Sequence, residues 1–298
     1  MSGILRRCED CVVTTEMVYD PRVFLLNKGI EVSKIKLYWC RGSGRKNPNQ
    51  QNFGDYLSAE VVEFASGKKI VWAPVKSADM IAIGSVLGRE SKAKFLCFPR
   101  KLHIWGTGTG VAEERFSGRH HYHAVRGQLC ADRIHDTRVP PVLGDPGLLS
   151  PAIVKKPSRK SARIGIIPHI HDRTSPVIQD LRRRLSGSRV IDVFSPVKQV
   201  LAEIASCDFI LSTSLHGLIV ADSYGVPNKW MVMERNPHWE FKFQDYYSSF
   251  GIAGTEPVTP KQILKNASWT IEGSIGNYHR PGLEAMQENL LHVFPKSL

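Results

Sequence analysis

The sequence is short of acid. It sets 28 Asp and Glu against 40 Lys and Arg, a formal charge of +12 over 298 residues. Such an imbalance favours anionic partners: phosphorylated small molecules, nucleic acid or an anionic membrane face. The usual marks of nucleic-acid binding are missing. There is no zinc-finger spacing, no RNP-like aromatic strand and no basic zipper. Small phosphorylated substrates account for the charge, and nucleic acid is not expected as a partner. No apolar run approaches about 18 residues, so no membrane-spanning helix is expected. The start, Met1 to Cys11, lacks the long apolar core of a secretory signal. The expected location is the cytoplasm, with peripheral contact at the inner membrane face. Cysteine is sparse as well. Six are scattered along the chain, four of them within or beside apolar runs, which reads as a reduced interior and not a disulfide framework. Cys8-Glu9-Asp10-Cys11 is a single CxxC without a second pair, and zinc usually takes four ligands. His120, His121 and His123 lie close together but lack an acidic or Cys ligand set. No metal is expected.

What is present is a rhythm of short apolar runs and helical stretches. Residues 1–34 read as an irregular arm. The pattern then predicts strands at Ile35–Cys40, Lys69–Ala73, Asp79–Ile83, Leu102–Trp105, Tyr122–Val125 and Val142–Leu143. A helix is predicted from Tyr56 to Ala65, capped by Asp55 and stopped by Gly67, and another from Gln128 to Ile134. The Lys-, Ser- and Pro-rich stretch 154–162 reads as a linker or a solvated loop. After it the rhythm restarts, with strands at Arg163–Ile167, Val190–Phe194, Asp208–Leu211 and Asn228–Met233. Helices are predicted at Pro176–Leu185, Pro196–Ser206 and Leu215–Tyr224, and a last one at about 282–293. Strands alternating with helices imply parallel sheets covered on both faces. The predicted fold is α/β: two doubly wound, Rossmann-like lobes facing a cleft, residues 35–155 and 156–298.

Ligands of open parallel sheets bind beyond the carboxyl ends of the strands. Those ends carry Gly84-Ser85, Gly106 to Gly110, Arg126-Gly127, His169 and Ser212 to Gly217. Gly106 to Gly110 misses the dinucleotide spacing because Val111 stands where a glycine is needed, and no P-loop lysine follows. It is either a tight turn or a backbone cradle. Ser212-Thr213-Ser214-Leu215-His216-Gly217 follows an apolar, central strand and opens a helix. A helix N-terminus attracts phosphate or carboxylate, and a His there can donate to an anion or exchange protons. The plainer alternative is a helix capped by Ser214 with His216 simply packed. Arg126 could grip a carboxylate or phosphate, or sit in a salt bridge. Asn52-Phe53-Gly54-Asp55 and Asp145-Pro146 read as turns.

Together these segments resemble the polysaccharide pyruvyl transferases. The order matches along Asn52-x-Gly54-Asp55, Gly84-Ser85-Val86-Leu87, Trp105-Gly106-Thr107-Gly108, Val125-Arg126-Gly127 and Leu143-Gly144-Asp145-Pro146. It continues through Ile164 to His169 and Ala205 to Asp208, then Ser214-Leu215-His216-Gly217, Gly225-Val226-Pro227 and Lys242-Phe243-x-Asp245-Tyr246-Tyr247. The succinoglycan ketalase branch is the most similar. One departure stands out: many members carry Arg-Leu-His where this chain has Ser214-Leu215-His216.

The resemblance implies a GT-B-like fold, with the first lobe on the acceptor side and the second, carrying His216, on the donor side. It implies phosphoenolpyruvate as donor and no cofactor. The acceptor would be a sugar, an oligosaccharide or a lipid-linked oligosaccharide of a surface polysaccharide. His216 is the expected proton-transfer or phosphate-holding residue. Arg126, Ser212, Thr213, Ser214, Gly217 and His169 are expected around the donor. Asn52, Gly54, Asp55, Gly84, Ser85 and Gly106 are expected to face the cleft from the first lobe. Asp55 is read either as the base for the hydroxyl proton or as a helix cap. The cation missing at Ser214 would come from Arg126, from a basic residue near Arg163 or Arg173, or from the helix N-terminus. Two rivals remain at this stage: a GT-B glycosyltransferase using a nucleotide sugar, and a non-catalytic basic binder of nucleic acid or membrane.

Overall fold

The computed structural model describes residues 33–95, 98–266, 271, 275–276 and 278–298. The expected arm falls outside them except for residues 33–34, as do Cys8, Cys11 and Cys97. Residues 33–298 form one compact unit built on two parallel sheets.

The first sheet contains β1 (Lys34–Tyr38), β2 (Lys69–Trp72), β3 (Met80–Ile81), β6 (His103–Trp105), β8 (His121–Val125) and β10 (Val142–Leu143), in the order β10-β8-β6-β3-β1-β2. Two small ribbons hang from it: β4 (Lys94–Phe95) with β5 (Phe98–Pro99), and β7 (Phe116–Ser117) with β9 (Ile134–His135). The second sheet contains β11 (Ala162–Ile167), β12 (Ser188–Val190), β13 (Cys207–Ser212) and β14 (Asn228–Trp230), in the order β12-β11-β13-β14. β13 is central, as its apolar run requires. Every pair in both large sheets is parallel.

Nine helices cover these sheets among the described residues. They are α1 (Phe53–Ser66), α2 (Gln128–Ala131), α3 (Ser150–Ile153), α4 (Pro176–Arg184), α5 (Val197–Ala205), α6 (Leu215–Ser223), α7 (Pro237–Ser248), α8 (Pro260–Lys265) and α9 (Leu283–His292). Gly67 ends α1 in the left-handed region, as expected, and Gly225 follows α6 at a φ of 63°. Three expectations are corrected. The helix at Gln128 stops at Ala131, because Ile134-His135 leaves to pair with Phe116-Ser117. The strand near 190 ends at Val190, and the chain then swings away, so that Val193 O accepts from Phe53 N at 2.9 Å. Asp55 is not the cap of α1. Asn52 is, and Asp55 lies within the first turn, where a carboxylate complements the helix dipole.

Helix α7 was not anticipated. Its apolar residues are aromatic and mixed with charges, which blurs a 3.6-residue period. Its start is nevertheless well specified. Asn236 caps it by accepting from His238 N, and Pro237 occupies the first turn.

The two sheets share a core. One cluster of buried side chains runs from Ile35, Leu37 and Trp105 of the first sheet to Ile167, Ile210 and Trp230 of the second. Leu57, Leu148, Leu218 and Ile219 lie between them. The buried packing is continuous between the two sheets. α9 returns to the first sheet, where Trp105 Nε1 donates to Leu290 O at 2.9 Å and the indole meets Phe294 edge-on. Truncating a buried Trp of this kind costs about 3–5 kcal/mol. Among the described residues, no helix is long and apolar enough to cross a membrane. Cys40, Cys130 and Cys207 are free thiols.

Candidate active site

Because both sheets are parallel, each delivers its strand-following loops at its carboxyl edge. His216 marks where the two edges meet. It is the second residue of α6, from the second sheet, yet its ring rests on Gly54 of α1. A Cβ on Gly54 would lie 2.8 Å from His216 Cγ and closer still to Nδ1, so only glycine leaves room for the imidazole. His216 Nε2 faces Asp145 Oδ2 from the first sheet at 3.9 Å. That is too long for a hydrogen bond. Both atoms are buried and neither has a partner. The other carboxylate oxygen, Asp145 Oδ1, accepts from Gly147 N at 2.8 Å.

Buried polar atoms are seldom left unpaired, so this pair calls for a reason. Burial pushes the Asp145 carboxyl up to about 7, against the pull of Gly147 N–H and Arg126. Burial, with Arg126, Lys242 and His169 nearby, pushes His216 down to about 3. At neutral pH the imidazole is therefore uncharged, while Asp145 is near half-protonation. Of the two, Asp145 is the one that carries a proton at neutral pH. Perturbed pairs of this kind gather where proton transfer is done.

Two more groups converge here. Asp55 accepts from Asn52 Nδ2 at 2.8 Å, and burial raises its carboxyl to about 6 against the effects of Asn52 and Lys242. Lys242, on α7, makes no hydrogen bond or ion pair with described residues. Its ammonium lies 5.4 Å from the rings of Trp239 and Phe243. Burial and the Arg126 charge lower it to about 8, while Asp55 and Asp172 act to raise it. It remains mostly charged at neutral pH.

The expected residues take the following places. Arg126 is fully buried and engaged within the protein. Its Nε donates to Asp245 Oδ2 at 2.8 Å, Nη2 to Thr109 O at 2.5 Å and Nη1 to Ser85 Oγ at 3.1 Å. It braces the loops and meets the site through Ser85. Arg173, near which the missing cation was expected, is itself bidentate to Asp192 at 2.8 and 2.9 Å. Gly84 O accepts from Thr107 Oγ1 at 2.6 Å, tying that loop to the Gly106 turn. Gly106, at a φ of 86°, lies so close to Pro146 that a Cβ would strike its ring.

Within the 212–217 segment, the Ser212 hydroxyl is used on backbone, accepting from Ser214 N at 3.0 Å and facing Ser214 O and Ile167 O. Thr213 Oγ1 donates to Asp172 Oδ2 at 2.6 Å and accepts from His169 N at 2.7 Å. Ser214 is the N-cap residue of α6 by position, but its side chain makes no capping bond. The first turn of α6 therefore keeps its donors unsatisfied by a side chain. Gly217 packs on Ser212 and Ile167. Burial, with Lys242 and His171, lowers His169 to about 3. His169 also lies edge-on to Trp239. Asp145, Asp172, Asp245, Trp239 and Lys242 were missed as site residues. Asp145, Lys242 and Asp245 belonged to the segments of the resemblance but carried no role; nothing in the sequence marked Asp172 or Trp239.

A family profile described as polysaccharide pyruvyl transferase matches residues 9–228. The chain belongs to this family. Among similar proteins, the succinoglycan biosynthesis protein ExoV of Rhizobium meliloti (strain 1021) is 27% identical over 211 residues, 67% of this chain and 62% of that protein. An uncharacterized protein, L143 of Acanthamoeba polyphaga mimivirus, is 34% identical over 135 residues, 42% of this chain and 45% of that protein. The chain thus spans less than two thirds of either relative.

Proposed function

We propose that the chain transfers the pyruvyl group of phosphoenolpyruvate to two hydroxyls of one sugar, forming a cyclic ketal during surface-polysaccharide synthesis. The acceptor class is a sugar, oligosaccharide or lipid-linked oligosaccharide, and the reaction takes place in the cytoplasm on a two-lobed, GT-B-like frame. The observation that carries the reading is the buried, unpartnered Asp145–His216 pair beside the unpaired ammonium of Lys242.

The steps follow from the donor's chemistry. The pair's proton adds to C3 of phosphoenolpyruvate, leaving an oxocarbenium-like C2. One sugar hydroxyl attacks C2 and loses its proton to a base, the role of Asp55, whose carboxyl at about 6 is mostly ionised at neutral pH. Inorganic phosphate then leaves with its bridging oxygen, regenerating an oxocarbenium, and the second hydroxyl closes the ring and gives up its proton. Lys242 holds the anion, and Arg126 fixes Ser85 beside it. Lys242 thereby stands in for the Arg that many family members carry at the position of Ser214.

The test is incubation with phosphoenolpyruvate and a panel of free and lipid-linked galactosides and glucosides, read as phosphate release. Release that depends on the acceptor and slows at least about a hundredfold in His216→Ala is expected. Turnover of a nucleotide sugar instead, or salt-sensitive polyanion binding indifferent to His216→Ala, would overturn the proposal.

A further inference from the structure

Two cavities of about 390 Å³ each open on either side of one edge of α7, and both are lined by Trp239 and Lys242. Each is large enough for a small ligand. Their linings differ in charge. The first, on the side of the first sheet, presents three cations, Arg89, Lys92 and Lys242, against one carboxylate, Glu114, which accepts from the Thr109 hydroxyl. Ser85, held by Arg126 Nη1, and the backbone at Gly110 complete its wall. The second presents three carboxylates, Asp172, Glu234 and Glu240, against Lys242 and Arg235, and Arg235 is already paired with Glu240 and Glu256. Its other walls are aromatic: His169, His171, Phe243 and Trp239.

Trp239 is the odd residue. It is 54% exposed, although a tryptophan is among the side chains with most to gain from burial. It stands at the first turn of α7, edge-on to His169 and His171 at 6.3 Å, with the Lys242 ammonium 5.4 Å from its ring. A rigid, accessible ring beside hydrogen-bonding carboxylates and imidazoles suits the apolar face and hydroxyl rim of a pyranose. A multiply charged anion gains nothing there. It gains in the other cavity, where like charges are gathered and their field is focused.

We infer that the Trp239–Lys242 edge sorts the two substrates by charge, the phosphate- and carboxylate-bearing donor entering the Arg89–Lys92 cavity and the neutral sugar acceptor stacking on Trp239 in the other. Lys242, in the wall of both, is where donor and acceptor meet. This reverses the sides assigned from the family resemblance, which put the acceptor with the first sheet, and it rests on the pyruvyl-transfer reading.

The experiment is steady-state kinetics on the full chain with each substrate varied in turn. Loss of one charge-assisted contact is worth roughly a ten- to hundredfold change. Arg89→Ala and Lys92→Ala should raise KM for phosphoenolpyruvate by at least about tenfold and leave the acceptor's within about twofold. Trp239→Ala should do the opposite, with Trp239→Phe recovering most of the loss. The reversed pattern, or equal effects on both substrates, overturns the inference while leaving pyruvyl transfer intact. If the wild-type chain does not turn over phosphoenolpyruvate, the functional proposal fails by itself. Calorimetry with inorganic phosphate still decides the cavities: binding lost in Arg89→Ala and kept in Trp239→Ala supports the assignment, and the converse refutes it.

Discussion

Replacing Gly54 by Ala tests the geometry of the site with a single methyl group. The added Cβ would sit 2.8 Å from His216 Cγ and nearer to Nδ1, where ordinary contact needs at least 3.4 Å. The ring must therefore retreat by about 1 Å, since the close-packed surroundings leave little slack. A displacement of that size in a reacting group typically costs on the order of a hundredfold in rate. Stability moves much less. Overpacking costs about 1–3 kcal/mol, but Ala in a helix is favoured over Gly by about 1 kcal/mol. The expected result is a folded protein, melting within a few degrees of wild type, with kcat reduced about a hundredfold. Phosphate release and thermal melting on the same preparation read both quantities. Wild-type kcat in Gly54→Ala would refute the placement of His216 at the reacting centre.

Asp145→Asn separates catalysis from stability. It keeps the acceptor for Gly147 N but removes the proton, so kcat should fall about 10²–10⁴-fold and the ionisation near pH 7 should vanish from the pH–rate profile. Its effect on stability has the opposite sign. The folded-state pKa of Asp145 is raised above the unfolded 3.8, so between about pH 4 and 7 the folded chain holds a proton that the unfolded chain has lost, and stability falls as pH rises. The variant should match wild type below pH 4 and exceed it above pH 7, by about 4 kcal/mol at most, in urea titrations at the two pH values. Breaking the buried Arg126–Asp245 pair by Asp245→Ala should cost about 3–5 kcal/mol, and Arg126→Met combined with Asp245→Leu should recover much of it; urea unfolding of the three chains checks this. Lys242→Met should weaken donor binding at least about tenfold, and adding Ser214→Arg should restore part of it, read by calorimetry with phosphoenolpyruvate.

The strands were legible because parallel strands buried on both faces read as short apolar runs, as Phe209-Ile210-Leu211 does in the centre of its sheet. The helices with glycine stops were legible too, at Gly67 and Gly225. Periodicity could not reveal α7, whose buried face is aromatic and interleaved with Glu240, Lys242 and Asp245. The site was legible as a set of positions and not as a set of roles. His216, Asp55, Asn52 and Gly54 do come together, but the meeting of His216 with Asp145 joins residues 71 apart in the chain and belonging to different sheets. Arg126 looked like a hand for the substrate because its partner, Asp245, lies 119 residues away. Asp145 looked like a turn residue because it is one: its Oδ1 accepts from Gly147 N, and only the fold shows that Oδ2 is buried without a partner.

The most direct measurement is the reaction run in heavy water with phosphoenolpyruvate and a competent sugar acceptor, followed by proton NMR of the product. Protonation at C3 by an exchangeable proton should give a ketal methyl carrying one deuterium, with one phosphate released per ketal formed, and both should form at least about a hundredfold more slowly in Asp145→Asn and His216→Ala. Absence of a ketal methyl signal across free and lipid-linked acceptors, or its undiminished formation in both variants, contradicts pyruvyl transfer by this site.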